Sequence, residues 1–233
     1  MASKYSVKTY TLNGFYHVYN RGVEKRTIFQ DHQDYSVFLS YLETYLSPKD
    51  EESLQKIIVS SNSSLKEKDK ALKLLKLKNY HKYIELLSYA LLPNHFHLLL
   101  KQVSPDCLNL FMNSIGTRYG MYFNRKYKRS GVLFQDVYKA VLVETEEQLL
   151  HLSRYINQNP ALWSGLPINR WKESPFPCTI PEYLSERNTK WINTNYILNH
   201  FSKRNEYNSY SHFLEISKET DIIANLTIDQ EID

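Results

Sequence analysis

At 233 residues the chain is long enough for one good-sized domain with an appendage, or two small ones, and for a sizeable buried core. No apolar run approaches the ~20 residues of a membrane span, the N-terminus MASKYSVKTY lacks a secretory core, and Cys107 and Cys178 are too few for a disulfide framework or a thiolate cluster. The expectation is a cytoplasmic protein whose net charge of +4 hides an uneven distribution: residues 66–82 carry seven Lys against Glu67 and Asp69, and residues 118–139 six Lys or Arg against Asp136. Concentrated positive charge on an otherwise acidic chain is an electrostatic footprint for a polyanion.

In chain order, Gly14 to Gly22 (GFYHVYNRG) reads as a short aromatic and β-branched strand ending in a turn. From about Asp31 to Leu46, Tyr35, Phe38, Leu39, Leu42 and Tyr45 recur at helical spacing, with Pro48 just beyond. Residues 47–80 combine the SSNSS stretch with a Lys-rich helical segment and read as an insertion, its charges solvated on a surface helix. Tyr83 to Leu92 and His95 to Gln102 are apolar runs joined by Pro93-Asn94, an antiparallel hairpin signal. Helical periodicity returns from Asp106 to about Tyr127, Gly131 closes a basic turn, and YKAVLVE supplies a further strand. Thr145, with Glu146 and Gln148 behind it, resembles a capped helix start. Pro160 predicts that this helix ends near Asn159 and leaves that side chain at an open rim. Beyond it, Trp163, Trp171 and several Pro suggest a wrapping coil, then two short helices near Asn193–Phe201 and Tyr207–Ser217, and a frayed acidic end with Asp229, Glu231 and Asp233.

The order β-α-β-β-α-β is the split βαβ of ferredoxin-like α+β folds, here with an extra helix. The expected division is a catalytic domain over residues 1–164, with the insertion at about 47–80, and a helical C-terminal extension over 165–233.

The chemistry concentrates in two motifs. LLPNHFHLLL sets His95 and His97 two residues apart, on one strand face. RYINQNP sets Tyr155 and Asn159 four apart, on one helix face. A lone buried His is more often a hydrogen-bonded core residue than a ligand, and the combination is what points to a site. Two imidazoles and a carboxamide oxygen form a neutral ligand set, so a bound Mg²⁺ or Mn²⁺ keeps its double charge for a phosphodiester, with Tyr155 as nucleophile and His151, one turn earlier, as an assisting residue or simply a surface one. Arg118, Arg125, Lys126, Lys128 and Arg129, interleaved with Tyr119, Tyr122, Phe123, Tyr127, Phe134 and Tyr138, together with Arg21, suit phosphates and stacked bases of single-stranded nucleic acid, although some of these rings must be core. No GxxxxGK[ST] loop is present.

Taken together, YHVYNRG, NHFHLLL, GVLFQDVYKA and RYINQNP resemble the REP-associated tyrosine transposases, a branch of the single-tyrosine HUH transposases, over about Gly14 to Ser164. The resemblance implies a ferredoxin-like catalytic domain acting on single-stranded DNA, often at hairpin-forming repeats, through a 5′-phosphotyrosine intermediate. It assigns His95 and His97 to the His-hydrophobic-His pair, Tyr155 to the nucleophile and Asn159 to the amide metal ligand. Family members work as helix-exchanging homodimers or as monomers, and some are domesticated. Two other classes compete: a non-catalytic RRM-like nucleic-acid-binding module, which has no use for the two motifs together, and a zinc hydrolase, which lacks a third His or carboxylate at usual spacing.

Overall fold

The computed structural model describes residues 10–216, 221–224 and 226. Strand β1 (Phe15–Arg21) leads to helix α1 (His32–Leu46), then to the helices α2 (Glu51–Val59) and α3 (Leu65–Lys76). Strands β2 (Ile84–Leu92) and β3 (His95–Gln102), helix α4 (Cys107–Lys126), strand β4 (Lys139–Val143) and helix α5 (Glu146–Trp163) follow. Three short α-helices follow, α6 (Ile180–Tyr183), α7 (Asn195–Leu198) and α8 (Tyr210–Glu215), with 3-10 turns between and after them. The sheet order is β2-β3-β1-β4 with every neighbouring pair antiparallel, the arrangement of a ferredoxin-like α+β fold. The acidic end expected to fray, at Asp229, Glu231 and Asp233, lies outside the described residues.

Both faces of the sheet are covered, which explains why β2 and β3 read as nearly continuous apolar runs rather than alternating ones. Tyr16 and Val18 of β1, and Phe96, Leu98 and Leu100 of β3, pack with Phe38 and Leu42 of α1 and with Phe111, Ile115 and Tyr119 of α4. The alternate residues of the strands turn to the opposite face, where Leu87, Ala90, Leu99 and Val143 meet Leu152, Tyr155 and Ile156 of α5 and a C-terminal group including Ile180, Tyr183, Tyr210 and Leu214. The chain after α5 thus completes the second core layer. It also shields the outer edge of β2, where Leu91 N–H donates to the Pro177 carbonyl and Asn193 N–H to the Leu86 carbonyl.

Local signals account for most boundaries. Asp31 caps α1 by accepting from Asp34 N–H, and Thr145 and Gln148 form a reciprocal capping box that starts α5. The insertion is a pair of helices rather than the single Lys-rich one expected, because Asp50 also caps a helix by accepting from Ser53 N–H. In α3 only Ala71 is buried, so the lysines around it stand on the surface. Helix α5 corrects the reading of Pro160, for it runs one turn past Asn159. The hydroxyls of Ser164 and Ser174 both donate to the Pro160 carbonyl, and Trp163 packs on His95 with ring centroids 5.3 Å apart, so tertiary contacts offset the missing N–H.

One polar cluster ties α1 to α4. Asp34 is fully buried and accepts from Gln30 N–H, the Tyr122 and Tyr127 hydroxyls and the Lys126 ammonium, all at 2.7–2.9 Å. Removing the carboxylate would leave the Gln30 N–H and the Tyr122 hydroxyl without this acceptor and Lys126 with Asp31 alone, inside a buried cluster. Asp34→Ala is therefore expected to lower unfolding stability by about 3 kcal/mol, with Asp34→Asn milder, as measured by urea denaturation. A loss below about 1 kcal/mol, within the range of a surface pair, would mean the cluster does not hold the two helices together.

Candidate active site

The strand register assembles the site. Across β1 and β3, Tyr19 stands opposite His97 and Arg21 opposite His95, so His17 becomes the diagonal neighbour of His97 on the same face. All three imidazoles are buried, with relative exposures of 0%, 6% and 1% for His17, His95 and His97. Burial, aided at His95 by the nearby Arg21 charge, brings the pKa of His17 and of His95 down to about 4; that of His97 is driven well down by burial and its two neighbouring imidazoles. Each ring is neutral at physiological pH, the state in which imidazole ligates metals.

The hairpin turn fixes one ring. Gly22 N–H donates to the Asn94 carbonyl, the Asn94 amide nitrogen donates to the Lys25 carbonyl, and His95 Nδ1–H donates to Asn94 Oδ1 at 2.6 Å. A side chain at Gly22 would collide with the Arg26 carbonyl, its Cβ 2.3 Å away, so glycine is required where β1 meets this turn. With Nδ1 of His95 engaged, Nε2 carries the lone pair. His97 engages Nδ1 with His17, and its Nε2 is buried with no partner. The two rings lie 4.9 Å apart and nearly perpendicular. An orphaned buried acceptor beside a second neutral imidazole fits a divalent metal ion.

Helix α5 brings the second motif to this pair. The Tyr155 ring packs edge-on against His97, centroids 5.6 Å apart, and against His17 at 6.2 Å. Two turns later Trp163 packs on His95. Asn159 lies midway between them on the same helix face, half-buried rather than at an open rim, and its amide nitrogen donates to the Tyr155 carbonyl at 3.1 Å, leaving Oδ1 as its acceptor atom. One chain supplies both motifs. His151 sits apart from this grouping: its Nδ1 accepts from the Arg154 guanidinium and its ring packs on Phe213 of α8. No cluster of three or more His, Cys, Asp or Glu suited to a metal forms among the described residues, so the ligands a zinc hydrolase would need are not assembled there.

His17 is the residue that sequence reasoning missed. It sits in YHVYNRG, one alternation from Tyr19, but only the pairing of β1 with β3 shows that it abuts His97.

The basic segment is only partly as expected. Arg125 and Lys128 are exposed, and Arg129 donates to Asn124 Oδ1. Arg21, at the end of β1, donates to Gln135 Oε1. Lys126 is turned inward onto Asp31 and Asp34, and the Arg118 guanidinium lies 3.9 Å over the Tyr41 ring between α1 and α4. Nor do the interleaved rings form an open stacking platform. Tyr119 and Phe123 are buried and Tyr122 and Tyr127 bond to Asp34, because α4 must cover the sheet, and Tyr138, just before β4, is buried too. The opposite sheet face, which an RRM-type module would use for bases, lies under α5.

Comparison with known proteins gives two matches. The family model described as "Transposase IS200 like" matches residues 57–159, from within α2 to Asn159 and so across both motifs. This match bears out the resemblance to single-tyrosine transposases and supports a transposase-type, DNA-processing role. Among solved structures, a REP-associated tyrosine transposase bound to a REP hairpin is similar at 12% identity and a TM-score of 0.48, over 82% of this chain and 98% of that one. No protein of curated function matches the chain. Among the described residues no helix is long and apolar enough to cross a membrane.

Proposed function

We propose that this chain cuts and rejoins single-stranded DNA through Tyr155, with His95, His97 and Asn159 holding a divalent metal ion, Mg²⁺ or Mn²⁺, at the point of attack. The observation that carries the reading is the Tyr155 ring seated edge-on against His97, beside the buried, unpartnered Nε2 of that residue. When bound, such an ion polarises a phosphate oxygen and stabilises the charge developing on the leaving oxygen.

The rest of the chemistry belongs to the chain. Tyr155 Oη forms a bond to phosphorus as its proton leaves, the bond from phosphorus to the preceding 3′ oxygen breaks, and that oxygen takes up a proton to become a 3′-hydroxyl. The 5′-phosphate remains on Tyr155. Phosphodiester energy is conserved, so attack by a second 3′-hydroxyl releases Tyr155 and joins two strands without a nucleotide cofactor. The neutral His95, His97 and Asn159 leave a bound ion's charge uncancelled, and the packing of α5 on the imidazole face fixes the phenol before substrate arrives. The reading supported by the motifs is transposition or processing of hairpin-forming repeats, by residues 1–164 with residues 165–233 as an extension. The packing of Tyr155 on His97 of its own chain supports a site completed in cis.

Tyr155→Phe is expected to abolish covalent attachment to a labelled single-stranded oligonucleotide in Mn²⁺, seen on a denaturing gel, while leaving binding nearly intact. His95→Ala should abolish attachment too, and Asn159→Ala should reduce it less completely, since water can replace a neutral oxygen ligand. A persisting adduct in Tyr155→Phe would place the nucleophile elsewhere.

Arg21, Arg125, Lys128 and Arg129 are assigned to DNA phosphates, whereas Lys126 and Arg118 hold helices together. Neutralising Arg125, Lys128 and Arg129 should weaken oligonucleotide binding and flatten its salt dependence by up to ~0.7 per lost phosphate contact. An unchanged slope there, with a reduced slope after deletion of the Lys-rich segment at 66–82, would move the DNA path to the insertion.

A further inference from the structure

The functional reading leaves one buried group without a role. His17 is fully buried, its Nδ1 contacts the Leu226 carbonyl at 2.5 Å, and its Nε2 lies 2.9 Å from His97 Nδ1 with the two rings stacked 15° from parallel. The proton positions follow from the partners. A carbonyl oxygen only accepts, so His17 Nδ1 carries a hydrogen, and a neutral imidazole then has a lone pair at Nε2. That lone pair must accept from His97 Nδ1–H, which leaves the lone pair of His97 on Nε2, the atom buried with no partner. Both nitrogens of His17 are therefore occupied, and it is not a ligand itself.

We propose that His17 is a positioning residue, a tautomer relay through which the backbone carbonyl of Leu226 sets His97 in its metal-binding form. The inference rests on the assignment of His97 as a ligand. The link spans 209 positions of sequence, from the last described residue to the first core strand. Leu226 is itself held in place: its side chain is buried with Ile223 in the core layer that contains Tyr155 and Ile156. His95 gains the same tautomer from its sequence neighbour Asn94. The pair is thus prepared by two independent acceptors, one local and one delivered by the C-terminal part of the chain. Hydrogen bonds to the far nitrogen of a ligating imidazole fix ring orientation and ligand basicity, and their loss costs metal affinity without altering the ligand set.

The test has two arms, both on the full chain. In the metal-free protein, ¹⁵N NMR of the imidazoles is expected to show hydrogen on Nδ1 and a bare Nε2 for both His17 and His97; a His97 protonated at Nε2 overturns the relay whether or not any variant folds. In calorimetric titrations with Mn²⁺ alone, His17→Leu should bind roughly 10- to 100-fold more weakly. His17→Gln, which offers His97 a carbonyl oxygen, should recover most of that loss. Equal weakening in both variants would assign the effect to packing and contradict the proposal, as would wild-type affinity in His17→Leu. His95→Ala separates the two readings. If it abolishes Mn²⁺ binding while His17→Leu leaves it intact, the relay fails alone; if it binds as wild type does, the metal assignment fails and takes the relay's metal-binding role with it.

Discussion

Burying His17, His95 and His97 side by side is the constraint from which the rest of this structure follows. Their closeness and their burial both disfavour protonation, so the face they occupy must be dry, and every ring nitrogen must find a neutral partner or be left as a lone pair. Helix α5 and the C-terminal layer supply the dry cover. Asn94 and the Leu226 carbonyl supply the acceptors. What is left over is the lone pair of His97 Nε2, on the ring against which Tyr155 packs.

The same constraint explains why a ferredoxin-like sheet here does not resemble an open nucleic-acid platform. Two helices on one face satisfy the apolar side chains of Tyr16, Val18, Phe96 and Leu98. A third helix is needed on the other face because the alternate positions of the same strands are buried too, and that helix carries Tyr155. Binding of bases, if it occurs through rings, cannot use the sheet face. Exposed positive charge stands instead at Arg125 and Lys128, at and just beyond the end of α4, and on the lysines of the insertion.

The fold was largely legible because its signals are local. Helical spacing placed α1 and α4, Pro93-Asn94 placed the β2–β3 turn, and Thr145 placed the start of α5. The pairing of His95 with His97, and of Tyr155 with Asn159, follows from strand and helix periodicity alone. What could not be read depends on residues far apart in sequence. Lys126 looked like a phosphate ligand until Asp34, 92 positions away, was placed beneath it. His17 looked like an ordinary strand residue until β1 was registered against β3. Pro160 looked like a helix end because its local penalty is visible in sequence, whereas the packing of Trp163 on His95 is not.

We take the two strand imidazoles and Tyr155 to form one metal-dependent site. Anomalous scattering from crystals soaked in Mn²⁺ addresses it directly. The expected result is a single strong peak bound by Nε2 of His95 and Nε2 of His97, with Asn159 completing the protein ligands and the Tyr155 hydroxyl alongside. A peak coordinated elsewhere on the chain, with the His97 Nε2 position still without a partner, would contradict it.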